Sequence, residues 1–399
     1  MNLNKIREFL LFPSYHYHKR LIKKSYKWSK KDIKNFQSKK VKKLINEFGK
    51  IETNRDVYKN NLKKFDKYAF KGIVRKTKTG GSRGHPLLIH EDNFFTRQKE
   101  LAYLFDIWGK IGYKPFDLRV KLRNFSDDKL FKYDLILNTW TLSLNLINKK
   151  NIEEVKLFLS KLDPFFIITY PSTISTFIQL LDEKFFRSLK VKGILAGSES
   201  FPLNQIKSFK KKYKIPVSFW YGHQERFSLS YYCDKCDMFH FYPSYGFTEF
   251  KPWKKKIFKI CGYSFRNIGT RFINYDTEDL VLKGKSKCKT NFLTAKKILG
   301  RNQELFLDKN GYEQTVMAHI GNLDKKDFYS NVSDFQFIQK SKGKLTVLLK
   351  LKNKKNLPLI KKVLIKRFKR TAKLSFKIVN NLILTKLGKR PYLIRKKFY

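Results

Sequence analysis

The fold class of this chain is decided by residues 165–226, which read FFIITYPSTISTFIQLLDEKFFRSLKVKGILAGSESFPLNQIKSFKKKYKIPVSFWYGHQER. Three short apolar runs are typical of buried strands, and two helical segments separate them, the first begun by Pro171 and Ser172. The strands are predicted at Phe165–Thr169, Gly193–Ala196 and Val217–Tyr221, and the helices at Thr173–Leu181 and Pro202–Lys214. Strands that alternate with helices form parallel βαβ units. The sequence therefore predicts an α/β fold.

Two polar segments follow strands of this region, Gly197–Glu199 and Tyr221–Arg226. Open parallel sheets bind ligands beyond the carboxyl ends of their strands. There, the aromatic face of Tyr221 and a metal-binding oxygen of Glu225 would lie side by side. The alternative is a plain strand-to-loop turn in which Glu225 forms only a surface ion pair with the arginine after it. The same Tyr-Gly-x-x-Glu spacing recurs at Tyr245–Glu249, which we interpret as a separate strand and turn lining the site.

A glycine-rich stretch at Thr77–Pro86 reads TKTGGSRGHP. Glycines let the backbone turn with φ > 0 and point consecutive N–H groups at one anion. Hydroxyls and cations in the same turn add donors suited to phosphate oxygens. The stretch lacks the Gly-Lys-Ser/Thr ending of a Walker loop, and a glycine-rich hairpin turn is the alternative interpretation.

Composition describes a folded and very basic protein. The chain has 399 residues, 42% of them apolar and 16% aromatic, and a formal net charge of +54 at pH 7. Such a charge first suggests nucleic acid as a partner, but the lysines are spread along the whole sequence, and we expect no specific nucleic-acid site. It also predicts a loose contact with anionic membrane surfaces. We expect a cytoplasmic protein, because the chain has only four cysteines and shows neither a signal peptide nor an apolar run long enough to span a membrane.

The chain is predicted to form two domains, with a boundary near Gly300. Residues 1–299 would form the large domain, with a lysine-rich helical lead-in at 1–65, and residues 300–399 a small α/β domain. A core-facing helix is predicted at Glu91–Trp108. The strand-like Phe272–Tyr275 ends in the acidic run Asp276–Asp279. A carboxylate just past a strand can accept both hydroxyls of a ribose, although acidic turns are common. In the small domain, strands are predicted at Leu345–Leu351 and Leu374–Val379, with a helix at Leu357–Phe368 between them.

Cys233 and Cys236, followed by His240, have the spacing of a metal-ligand element. Cys288 or Cys261 would complete a tetrahedral structural Zn²⁺ site. Thiols that bind no metal are the alternative, because one Cys-x-x-Cys pair is less specific than two.

The order of these segments resembles the adenylate-forming (acyl-activating) enzymes, in particular the phenylacetate–CoA ligase-like branch with its capsular polysaccharide biosynthesis-type members. The resemblance runs from about Thr77 to the C-terminus. The matching segments are Thr79–Pro86 (the phosphate loop), Tyr170–Ser172, Gly197–Glu199, Tyr221–Arg226, Asp279, Gly300–Arg301 (the hinge) and Gly388–Lys389 (the late catalytic lysine).

This resemblance implies ATP-dependent activation of a small carboxylic acid to an acyl-adenylate with release of pyrophosphate. The acyl group would then pass to coenzyme A or another nucleophile. Glu225 would hold Mg²⁺, and Lys389, carried by a small C-terminal lid, would stabilise the transition state. The ATP-binding residues that the resemblance implies are Thr79, Gly80, Gly81, Ser82, Gly84, Glu199, Tyr221, Gly222, Asp279 and Arg301.

Four departures from the family pattern bear on the substrate and the second step. Arg83 stands where the family has a threonine, Glu278 replaces a glycine, and Gln303-Glu304 replaces an acidic hinge sequence. The fourth departure is Asn274, which stands at an arginine-like position before Tyr275. Two alternatives stay open: a highly basic nucleic-acid-binding protein, and an amide- or ester-forming ligase that does not use coenzyme A. The sequence specifies neither the acid, the acceptor nor the oligomeric state.

Overall fold

A computed structural model describes residues 3–11, 13–66, 74–78, 87–92, 94–123, 129–144, 146–148, 150–197, 203–254, 257–265, 267, 269–300, 305–320, 331–351, 356–383 and 393–395. The described residues up to Gly300 form one compact unit, and those from Leu305 onward form a second. No helix of these residues combines the length and the apolar character needed to cross a membrane.

The chain begins with five helices, α1 (Leu3–Phe9), α2 (Pro13–Ser25), α3 (Lys30–Phe48), α4 (Arg55–Asn60) and α5 (Leu62–Phe65). Ser29 and Asp32 form a reciprocal capping box that fixes the start of α3. Helices α2 and α3 bury apolar residues on one face, despite the many lysines on their other faces. Tyr15 of α2 packs with Phe105, and Phe48 of α3 packs with Phe65.

Five more helices belong to the first unit: α6 (Thr96–Gly109), α7 (Ile152–Ser160), α8 (Pro171–Leu181), α9 (Glu183–Ser188) and α10 (Leu203–Tyr213). Its strands are β1 (Val74–Lys78), β2 (Leu88–Asp92), β3 (Arg119–Leu122), β4 (Phe131–Asp134), β5 (Thr139–Leu142), β6 (Phe165–Thr169), β7 (Val191–Gly197), β8 (Val217–Gly222), β9 (Leu229–Cys233), β10 (Met238–Phe241), β11 (Gly246–Lys254), β12 (Ile257–Ser264), β13 (Tyr275–Lys283) and β14 (Leu293–Gly300).

Twelve of these strands form one sheet in the order β11-β12-β13-β14-β10-β9-β8-β7-β6-β3-β5-β4. The run from β8 to β5 is parallel, whereas β9 to β14 pair antiparallel with their neighbours. A hydrophobic core covers each face of the sheet. Successive side chains of a strand point to opposite faces, and in β6 Phe165 and Ile167 belong to one core whereas Phe166 belongs to the other. The predicted α/β fold is confirmed.

The βαβ series that decided the fold class lies where the sequence predicts it. Strand β6 has the predicted bounds, and β7 and β8 each extend beyond their predicted ends. Pro171 occupies the first turn of α8, where its missing N–H costs no hydrogen bond.

Two predictions about element boundaries were wrong. The helix predicted from Glu91 begins only at Thr96, because Glu91 belongs to β2 and Asp92 caps the helix: its carboxylate accepts the backbone N–H of Thr96 at 3.1 Å. Phe94 and Phe95, expected in the core, are therefore 46% and 43% exposed in the connection.

The strand expected at Phe272–Tyr275 begins only at Tyr275 and continues to Lys283 as β13, so Asp279, expected just past a strand, lies inside it. A β-bulge explains the misreading, since the register between β12 and β13 shifts between Lys259 and Cys261. In the bulge Glu278 has φ 64°, and the side chain of Asp276 accepts the N–H of Glu278 at 2.7 Å. A bulge of this kind places a turn-like backbone conformation inside a continuous strand.

The second unit contains β15 (Leu305–Leu307), β16 (Glu313–Thr315), α11 (Val316–Ile320), β17 (Val332–Ser341), β18 (Lys344–Leu351), α12 (Leu357–Phe368), β19 (Lys373–Ile378) and β20 (Leu393–Arg395). Its main sheet has the order β19-β18-β17-β20. Helix α12 connects the parallel strands β18 and β19, and it buries one stripe at a spacing of four residues: Ile360, Leu364 and Phe368.

Candidate functional site

The end of β8 brings Tyr221 next to Asp279 of β13. The Tyr221 hydroxyl donates a hydrogen bond to Oδ2 of Asp279 at 2.9 Å. Burial, and then the charge of Asp279, raise the pKa of Tyr221 well above its usual value. The phenol therefore stays protonated and acts as a donor at neutral pH. Two residues that the sequence proposes for one nucleotide thus meet in the structure.

Glu225 lies in a buried polar pocket four residues after Tyr221, where it is 7% exposed. Oε1 accepts the hydroxyl of Tyr275 at 3.3 Å, and Oε2 lies 3.2 Å from Nδ1 of His223. The side chain of Asn267 donates to the Glu225 carbonyl at 3.2 Å. The simple alternative of an exposed ion pair at this position was wrong.

Arg226 contacts two other elements of the first unit, β2 and α6. Its guanidinium pairs with Glu91 of β2 and lies 3.8 Å from Glu100 of α6. It also donates to the carbonyl of Thr96 at 3.3 Å. Burial opposes the charge of Arg226, but Glu100 and Glu91 outweigh it, so that the pKa of Arg226 is raised. This arginine therefore joins β2, α6 and the end of β8.

The β1–β2 hairpin, whose arms flank residues 79–86, lies against the same segment. Nε2 of Gln224 is 3.5 Å from Oγ1 of Thr77 and equally far from Oε2 of Glu91. Glu91 of this hairpin also forms an isolated antiparallel β-bridge with Gly269. A Cβ at Gly269, which has φ +99°, would lie 2.3 Å from the carbonyl oxygen of His90. Only glycine permits this close approach. The base of the predicted phosphate loop and the Tyr221–Arg226 segment are thus neighbours.

Gly222 is the last residue of β8 and pairs with Leu229. The other proposed nucleotide-binding and catalytic residues lie outside the described part of the chain: Thr79, Gly80, Gly81, Ser82, Gly84, Glu199, Arg301 and Lys389.

Sequence reasoning missed three contributors to the pocket, His223, Tyr275 and Asn267. Both ring nitrogens of His223 are buried, and neither makes a hydrogen bond to the residues that the structure describes, although Nδ1 lies 3.2 Å from Oε2 of Glu225. The signal for His223 was its place inside the Tyr221–Arg226 segment. Asn267 and Tyr275 carried no such signal, since they reach Glu225 only through the docking of distant segments.

In the structure, Cys288 lies next to the predicted element of Cys233, Cys236 and His240. The side chains of Cys233, Cys236, His240 and Cys288 converge. Cys261, the other candidate, lies in β12 between Glu249 of β11 and Asp276 of β13. Sheet pairing therefore selects Cys288.

The hydrogen bond between Tyr221 and Asp279 gives a first testable expectation. Tyr221→Phe should lower the free energy of unfolding by about 2 kcal/mol, because a hydrogen bond to a charged group is lost at a largely buried site. Urea unfolding followed by tryptophan fluorescence measures this. Tyr133→Phe removes a 2.6 Å hydrogen bond from the exposed Tyr133 hydroxyl to the neutral amide of Asn138 and should cost less. Equal losses in the two variants would contradict the expectation.

Comparisons with known proteins address the fold. No family model and no curated protein matches the chain by sequence. Among solved structures, the chain is similar to a 2-hydroxyisobutyryl-CoA ligase in complex with 2-HIB-AMP and CoA in the thioesterification state, with 12% identity, a TM-score of 0.51, and coverage of 99% of this chain and 91% of that one. A malonyl-CoA ligase with methylmalonyl-CoA and AMP bound matches at 11% identity and a TM-score of 0.41, over 78% of this chain and 71% of that one. The first of these likenesses shows that the chain has the adenylate-forming enzyme fold.

Proposed function

We propose that this protein activates a carboxylic acid with ATP and then transfers the acyl group to coenzyme A or another nucleophile. In the first step a carboxylate oxygen attacks the α-phosphorus of ATP, the bond to the β-phosphate oxygen breaks, and pyrophosphate leaves. The observation that carries the proposal is the contact of Tyr221 with Asp279 at the end of β8, beside the buried carboxylate of Glu225.

The nucleotide roles follow from these positions. The Tyr221 ring would stack on adenine, and the carboxylate of Asp279 would accept the ribose hydroxyls. The hydrogen bond from Tyr221 fixes the rotamer of Asp279 before the nucleotide arrives, which lowers the entropy lost on binding.

Glu225 is suited to hold Mg²⁺. This ion is commonly bound by one or two carboxylates together with phosphate oxygens of the substrate, and Glu225 offers a buried carboxylate oriented by Tyr275. A bound Mg²⁺ supplies positive charge against the phosphate oxygens. The chain's own contribution is to keep Glu225 at the end of β8, next to the hairpin arms that flank residues 79–86.

His223 is suited to bind the acid. Its buried ring nitrogens lack hydrogen-bond partners among the described residues, and an unmet buried donor is costly unless a ligand satisfies it. A carboxylate substrate accepting the N–H of this imidazole would satisfy it and would lie beside Glu225.

The remaining roles rest on the family resemblance. Thr79, Gly80, Gly81, Ser82 and Gly84 would cradle the phosphates, Glu199 and Arg301 would contact the nucleotide, and Lys389 would bridge the carboxylate and α-phosphate oxygens. Residues 300–399 would act as a lid that moves Lys389 away before the acyl transfer. Within the superfamily, the phenylacetate–CoA ligase-like branch and a role in surface polysaccharide synthesis form the finer part of this proposal.

Carboxylate-dependent ATP–pyrophosphate exchange tests the proposal. The purified chain is incubated with ATP, Mg²⁺, labelled pyrophosphate and a panel of aryl and small aliphatic acids. We expect exchange with at least one acid and none without acid; adding coenzyme A, an amine or a sugar to that acid then identifies the acceptor. No exchange with any acid, together with tight nucleic-acid binding that weakens steeply with salt, would favour the nucleic-acid-binding alternative.

A further inference from the structure

A compact group of sulfur and nitrogen ligands lies away from the Tyr221–Asp279 contact, where β9 turns into β10. Cys233 ends β9, Cys236 lies in the turn, His240 lies on β10, and Cys288 comes from the connection between β13 and β14. The four ligand atoms all lie within 4.8 Å of one another. Sγ of Cys233 is 3.9 Å from Sγ of Cys288, and Sγ of Cys236 is 3.1 Å from Nε2 of His240.

These separations fit one tetrahedral ion. A Zn–S bond of about 2.3 Å and a Zn–N bond of about 2.0 Å place neighbouring ligand atoms about 3.5–3.8 Å apart. The separations of 3.1 and 3.9 Å lie on either side of that range. Because all four ligand atoms lie within 4.8 Å of one another, side-chain movements would bring them to the corners of a zinc tetrahedron.

The surroundings of His240 also suit a metal ligand. Its Nε2 faces Cys236, while its Nδ1 lies 3.2 Å from Oγ1 of Thr290. The ring stacks on Tyr231, with 5.1 Å between centroids and 10° between planes. Metal-binding histidines are held in this way, with the second nitrogen engaged by a polar partner.

From this geometry we propose that Cys233, Cys236, His240 and Cys288 bind one structural Zn²⁺ ion. The three thiols would lose their protons on binding, and the imidazole would bind through Nε2. Three sulfur ligands select a soft or borderline metal over Mg²⁺ or Ca²⁺. Four protein ligands leave no open coordination position, so the ion would be structural and not catalytic.

A zinc ion at this site would stabilise the junction between β10 and β14. Only three residue pairs join β10 to β14: Phe239 with Ala295, His240 with Thr294, and Phe241 with Leu293. This short ladder links the part of the sheet that carries Tyr221 to the antiparallel part that carries Asp279. A zinc ion between the β9–β10 turn and the segment before β14 would cross-link the two parts. Zinc binding itself does not depend on the proposed reaction.

Metal analysis of the full chain tests this proposal. Protein purified without chelators should contain one zinc atom per chain by inductively coupled plasma mass spectrometry. Cys233→Ser and Cys288→Ser should each lose most of that zinc and melt at a lower temperature. Cys261→Ser is the matched control, because Cys261 is buried outside the cluster, and it should keep one zinc atom per chain.

A second measurement decides the question if the serine variants fail to fold. Wild-type protein reconstituted with Co²⁺ should show the intense visible bands of a tetrahedral ion and a thiolate-to-cobalt charge-transfer band. Wild-type protein that contains no zinc and takes up no cobalt would overturn the proposal. A disulfide between Cys233 and Cys288 in freshly purified protein, or full zinc content in Cys288→Ser, would overturn it as well.

Discussion

Glu225→Gln should lower the rate of carboxylate-dependent ATP–pyrophosphate exchange by about 100-fold or more. The amide keeps the size of the side chain and its acceptor for the Tyr275 hydroxyl, but it removes the charge proposed to hold Mg²⁺. Metal-ion stabilisation of a developing phosphate charge is worth several kcal/mol, and each ~1.4 kcal/mol corresponds to a factor of ten in rate. Exchange is measured at saturating ATP and over a range of Mg²⁺ concentrations.

The chain contains its own control for this variant. Glu249 ends a second Tyr-Gly-x-x-Glu sequence, which was expected to line the site. In the structure it lies on β11, where its side chain is 35% exposed and pairs with Lys251 at 3.6 Å, and no contact found for it involves Glu225, Tyr221 or Asp279 among the described residues. Glu249→Gln makes the same chemical change and should leave the exchange rate nearly unchanged. Similar rates in the two variants would remove Glu225 from the proposed metal site. Far-UV circular dichroism of both proteins checks that the fold is intact.

Arg226→Met should lower the free energy of unfolding by about 3–5 kcal/mol. The substitution leaves Glu91, which is 4% exposed, and the neighbouring Glu100 as negative charges without the cation that now lies between β2 and α6. Removing one partner of a buried ion pair costs this much, because the remaining charge stays desolvated. Urea unfolding monitored by tryptophan fluorescence gives the difference from wild type.

Arg187→Met provides the comparison for the loss at Arg226. Arg187 pairs with Glu183 at 2.9 Å one helical turn away, and both side chains are more than 40% exposed. Exposed pairs contribute less than about 1 kcal/mol, so this variant should be close to wild type in stability. If both arginine variants lost the same free energy of unfolding, burial of the ion pair would not explain the loss at Arg226. The inference that Arg226 joins β2, α6 and the end of β8 would then be wrong.

The elements predicted most accurately were those whose signals are local. Strand β6 and helix α12 have the predicted bounds, since the apolar run of Phe165–Thr169 and the spacing of Leu357–Phe368 each lie within one element. The start of α6 was placed too early, because a polar pair at Glu91 and Asp92 fits a first helical turn as well as it fits a strand end with a cap.

Within the candidate site, the sequence by itself determined the βαβ order and therefore that Tyr221 lies at the carboxyl end of a parallel strand and that Glu225 follows that strand. Only the tertiary structure decided the partners: Asp279 for Tyr221, Glu91 for Arg226, and Cys288 rather than Cys261 for the cysteine cluster. The physical reason is separation along the chain. Periodicity and turn chemistry act over a few residues, whereas these contacts depend on sheet pairing, the bulge in β13 and the docking of the β1–β2 hairpin, which join segments distant in sequence.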